Sequence, residues 1–115
     1  MSATRFRRTA LSLPEVIEGA HHGIADFRVG KRIFATLGYP DKDWSMVKLT
    51  PEQQAMVVEA EPEIFQPVPG GWGKSGSTNI RIAKADQVTL RSALTMARDN
   101  IAAKPAKKTR TKTQA

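Results

Sequence analysis

Residues 69 to 82 read PGGWGKSGSTNIRI: four glycines, a lysine, two serines and a threonine around one tryptophan. Residues of these types cradle phosphate when a loop of the form G-x-x-x-x-G-K-[ST] comes after a strand and opens a helix. Backbone N–H groups and the helix dipole then converge on one anion. Gly73-Lys74-Ser75 supplies the end of that pattern, but the glycine that should begin it, five residues before Gly73, is Val68. The segment after the loop is also unsuited to holding phosphate, because STNIRI alternates polar and apolar residues as a strand does. The dinucleotide form G-x-G-x-x-G matches the letters at Gly71, Gly73 and Gly76 and fails for the same reason. The glycines are therefore expected to supply positive-φ turns between two strands, with no helix N-terminus aimed at the loop. Trp72 at its centre is either a core plug or an exposed contact, and the high average burial of tryptophan favours the core.

Other residues capable of chemistry are scattered. His21 and His22 are the two histidines, and neighbours on an extended segment point in opposite directions, so they do not readily share a metal. No H-x-x-x-H or H-x-x-E spacing occurs, and without cysteine there is no disulfide, thiol nucleophile or zinc–thiolate site. The carboxylates cluster in EVIE, DKD and EAEPE, each beside a turn or helix end where solvated acids are common. Ser75, Ser77 and Thr78 have no histidine nearby in sequence and no nucleophile elbow around them. The expectation is a protein with no catalytic, cofactor or metal residues, and not an enzyme.

The elements that must position these residues are legible in the periodicity. ATRFRRTALSL, residues 3 to 13, places Phe6, Ala10 and Leu13 on one helical stripe, and Pro14 closes it. EVIEGAHHG reads as a connecting loop. IADFRVGKRIFATL then alternates twice, with Gly30 and Lys31 between the runs, which predicts a hairpin. In its second strand Ile33, Ala35 and Leu37 share one face, and Arg32, Phe34 and Thr36 the other. GYPDKD is a turn and WSMVKLT a third strand. Thr50-Pro51-Glu52-Gln53 carries an N-cap threonine, a proline at the first helical position and a glutamine three residues past the cap. The helix that it starts stops before Pro62. EIFQPVP is a short extended piece whose prolines suit a sheet edge. STNIRIA is the next strand, and Asp86 caps a long final helix with Leu90, Leu94, Ala97 and Ile101 on its apolar face. The order α-β-β-β-α-β-β-α predicts one α+β domain around an antiparallel sheet of about five strands, with helices at both ends.

At 115 residues there is room for one modest core, and 40% hydrophobic with 25% charged residues is an ordinary globular balance. No apolar run is long enough to span a membrane, and none of signal-peptide length comes after the first arginines. A cytoplasmic home is the expectation. The net charge is +7, but Lys104, Lys107, Lys108, Arg110 and Lys112 supply five of those charges with no acid among them. That leaves residues 1–103 at +2. The chain divides into a folded domain, 1–103, and a disordered basic tail, 104–115, which attracts phosphates without sequence preference.

Four stretches together resemble the MmcQ/YjbR family of small bacterial proteins. They are ALSLPEVIEGAHHGIADFRVGKRIFATL, WSMVKLTPEQQAMVV, FQPVPGGWGKSGSTNIRIA and the closing helix. The resemblance implies a compact α+β domain whose members are described as DNA-binding through a "double wing" arrangement, with no agreed catalytic residues. On that reading Lys31, Arg32, Lys48, Lys74 and Arg81, together with Lys107, Lys108, Arg110 and Lys112 of the tail, form a discontinuous basic surface for nucleic acid. The alternative is a protein-interaction module that docks a partner on its sheet face or on the Trp72 loop.

Overall fold

The computed structural model describes residues 2–38 and 43–103, so the basic tail and residues 39–42 of the GYPDKD turn lie outside the described residues. Helix α1 (Ser2–Leu11) buries Phe6 and Ala10, the stripe anticipated from spacing, and Leu13 joins them just past its end. Then come β1 (Ile17–His21), β2 (Ile24–Val29), β3 (Arg32–Leu37) and β4 (Trp44–Lys48). Helix α2 (Pro51–Ala60), β5 (Phe65–Pro67), a single helical turn α3 (Gly71–Lys74), β6 (Ser77–Arg81) and α4 (Gln87–Ala103) complete the described chain. The sheet is antiparallel throughout, in the order β1-β2-β3-β4-β6-β5. The architecture is the α+β domain that the sequence predicts, with six strands among the described residues.

The sixth strand is β1, in a stretch whose sequence pattern suggests a loop. His22 and Gly23 both adopt positive φ, 51° and 77°, as do Gly30 and Lys31, 57° and 73°. Each pair makes a two-residue turn whose twist matches the strands it joins, so two hairpins stand in succession. The expected face pattern of β3 also changes. Phe27 pairs with Ala35 and Arg28 with Ile33, leaving Phe34 as an extra residue in a bulge. The bulge turns Phe34 inward, where it is fully buried beside Phe27, Val29 and Ala35.

The core lies on one side of the sheet. Phe27, Val47, Phe65 and Ile80 pack there against Leu90, Ala93, Leu94 and Ala97 of α4 and against Phe6 of α1. Val57 and Val58 of α2 close the same core. The capping box forms as its residue types require: Thr50 Oγ1 accepts from the Gln53 N–H, and Gln53 Oε1 accepts from the Thr50 N–H. No helix among the described residues is long and apolar enough to cross a membrane.

Candidate functional site on the open sheet face

Side chains on a strand alternate between faces, and the pairing register assigns them. Trp44 pairs with Arg81, Met46 with Asn79 and Lys48 with Ser77, all on the face opposite the core. Neither Trp44 nor Met46 joins the hydrophobic core, and both are half-buried. The Arg81 guanidinium lies 4.6 Å from the centroid of the Trp44 ring. At the other end of the same strands, Lys48 Nζ lies 5.8 Å from the centroid of Trp72. Two cation–aromatic pairs thus mark the two ends of one open face. Trp44 and Lys48 are four positions apart on β4, roughly 13 Å at the rise of a strand.

Trp72 corrects the sequence reading. It is 68% exposed, so it is a surface side chain and not a core plug. The glycines around it explain why. A Cβ on Gly73 would run into the backbone carbonyl of Val68, and one on Gly76 into that of Leu49. The loop backbone therefore fills the space against its neighbours, and the tryptophan, carried between them on α3, is displaced outward. That helical turn inside the loop is a second departure from the sequence reading, which expects turns alone. Strand β6 comes after it as anticipated. Gln54 of α2 pins the arrangement by donating to the carbonyls of Gly73 and Ser77, 2.9 Å each.

The expected basic residues divide by position. Lys48 and Lys74 accompany Trp72, Lys74 being exposed two residues along the same turn. Arg81 accompanies Trp44. Lys31 is exposed at the tip of the β2–β3 hairpin, at the same end of the sheet as Lys48. Arg32 pairs with Val29, a core residue, which sets it on the other side of the sheet from the tryptophans. Lys107, Lys108, Arg110 and Lys112 lie outside the described residues. Sequence reasoning missed Trp44 as a partner for Arg81, because nothing local pairs residues 37 positions apart. It also missed Gln54, whose signal is its place one residue past the capping glutamine.

Towards β1 the same face carries a buried carboxylate. Asp26 is fully buried; its Oδ1 accepts from Arg28 Nε at 2.7 Å, and its Oδ2 from Arg28 Nη2 at 3.1 Å and from His21 Nδ1 at 2.7 Å. The Arg28 hydrogen bonds hold the Asp26 carboxyl below the usual value of 3.8; burial opposes them and His21 adds to them. Gly19, opposite Asp26, leaves the room this cluster needs: a Cβ there would lie 3.0 Å from Arg28 Nε and 3.1 Å from Asp26 Oδ1. Among the described residues no group of three or more His, Cys, Asp or Glu side chains could hold a metal ion.

Among curated proteins none matches this chain significantly. The crystal structure of Deinococcus radiodurans protein DR2400, with its DUF419 domain, superimposes with a TM-score of 0.65 at 18% identity. The match spans 79% of this chain and 71% of that one, and at this identity it speaks for the fold alone. The YjbR family model matches residues 11–100, from the end of α1 to the last turn of α4, and this chain belongs to the YjbR family.

Proposed function

We propose that this domain binds single-stranded nucleic acid across the open face of its sheet, without catalysing a reaction on it. The observation that carries the reading is Trp72, 68% exposed on a loop whose backbone is packed tight, with the Lys48 ammonium at its ring. An exposed indole on a rigid support offers an unpaired base a stacking surface. A cation beside it draws the adjoining phosphate. Trp44 with Arg81 repeats the combination at the far end of β4 and β6, so a strand laid along the face meets two such pairs. Lys74 and Lys31 extend the positive rim, and the basic tail adds sequence-independent attraction. A stacking face favours unpaired bases over duplex, because paired bases are already stacked.

The test is fluorescence anisotropy with a labelled pyrimidine 12-mer and with the matching duplex. Trp72→Ala is expected to weaken single-strand binding by about 1–3 kcal/mol, roughly 5- to 150-fold, while duplex binding changes little. Equal loss for both forms would favour plain electrostatics. No binding at low salt would leave the exposed tryptophan to the alternative reading, a contact anchor for a protein partner.

A further inference from the structure

We propose that the groove between α1 and the first turns of α4 is a second, separate site, which binds a small phosphate monoester such as a sugar phosphate. The groove lies in the helical layer, on the other side of the sheet from Trp44 and Trp72. Its volume is about 520 Å³, and every residue that lines it is polar, with three arginines among them: Arg5, Arg8 and Arg91. No carboxylate lines it.

The arginines of this groove lack the carboxylate partners that their neighbours have. On the same two helices Arg7 is paired with Glu18 at 3.0 Å, and Arg98 with Asp99 at 2.9 Å and Glu15 at 3.6 Å. Among the described residues none of the three groove arginines has a carboxylate ion pair. Arg5 is held by the backbone carbonyls of Ile82 and Ala85, which fixes its guanidinium as part of the floor. Arg91 Nη1 donates to Ser12 Oγ at 3.1 Å, leaving the rest of its fork for a ligand. Arg8 is exposed, and its side chain has no hydrogen-bond partner among the described residues. Asp86 feels the Arg5 charge, but its Oδ1 accepts the Thr89 N–H as the helix cap.

Three guanidinium groups facing one cavity repel one another until an anion enters. A phosphate monoester, with its negative charge spread over three equivalent oxygens, meets several of their forks at once. The cavity volume falls within the range of small-molecule sites, which suits a phosphate carried on a sugar-sized body.

The experiment is an amide chemical-shift titration of the full chain with ribose 5-phosphate at constant ionic strength, with ribose as the uncharged control. Saturable shifts confined to α1 and the start of α4 are expected. Arg8→Ala with Arg91→Ala is expected to weaken binding at least about tenfold, since charge-assisted hydrogen bonds are lost, and Trp72→Ala to leave it unchanged. Both arginines are exposed, so the fold is expected to survive, and Arg8→Gln alone offers the same test on a side chain without a partner. The proposal is overturned by non-saturating shifts, by equal shifts with ribose, or by undiminished binding in the arginine variants. It is also overturned if only an oligonucleotide moves these resonances, which would make the groove a contact for a polymer backbone. None of these outcomes depends on whether the sheet face binds a nucleic-acid strand.

Discussion

Asp26 shows what a single residue contributes when the sheet folds around it. A carboxylate with no exposure would be costly to bury alone, and here three N–H groups from Arg28 and His21 offset that cost. Because its pKa is depressed in the folded state, this contribution is complete above the ordinary value of 3.8. It is lost as the pH falls through and below that value. Urea denaturation across pH 2 to 7 is expected to show stability declining on the acid side. Asp26→Asn should shrink that decline and cost about 1–3 kcal/mol at neutral pH, because Arg28 and His21 can turn towards solvent once their acceptor weakens. Asp86, whose carboxyl is also lowered, chiefly by the Thr89 backbone N–H, keeps part of the acid limb in the variant. An unchanged acid limb in Asp26→Asn would place the pH dependence elsewhere.

Among the elements, the loop that carries Trp72 is positioned by contacts it does not itself encode. Gln54 reaches it from α2, and Leu49 accepts the close approach of Gly76, whose N–H and carbonyl bond to the Gly73 carbonyl and the Leu49 N–H. Gly76 combines φ of +110° with a Cβ position blocked by backbone, whereas Gly70, at φ +82°, faces open space. Gly70→Ala is therefore expected to cost about 1–3 kcal/mol, the strain of a backbone conformation, φ 82° and ψ −156°, that suits glycine alone. Gly76→Ala adds displacement of the backbone just past β4 and should cost a further 1–3 kcal/mol, roughly. Thermal unfolding of the two variants separates these contributions; equal losses would mean that the loop yields easily and Trp72 is not rigidly presented.

For the whole molecule the charge is distributed unevenly. Five of the seven net positive charges fall in residues 104–115. A chain ending at Ala103 is expected to unfold with the same cooperativity as the full chain, because the removed residues include no large apolar side chain. On the proposed function, its single-strand affinity should depend less on salt. Each phosphate neutralised contributes about 0.7 to the slope of log affinity against log salt, so losing five cations that each meet a phosphate lowers the slope by about 3.5 units. Preserved slope and affinity in the truncated chain would locate the whole electrostatic contribution on the sheet face and hairpin tip.

Features that depend on near neighbours are written in the order of residues. The capping box at Thr50, the helical stripe of Phe6 and Ala10, the Gly30-Lys31 turn and the proline-marked edge strand β5 are all products of residues within a few positions of one another. Strand β1 escapes detection because its two-residue turn uses His22, an uncommon left-handed residue, and its charged and small side chains blur the alternation. Long-range folding, by contrast, set Trp44 against Arg81, turned Trp72 outward and gathered Arg5, Arg8 and Arg91 into one groove. Each of those outcomes depends on which strands pair and which backbones touch far apart in the chain. Local periodicity assigns the face of a strand, but not the neighbour that the face will meet.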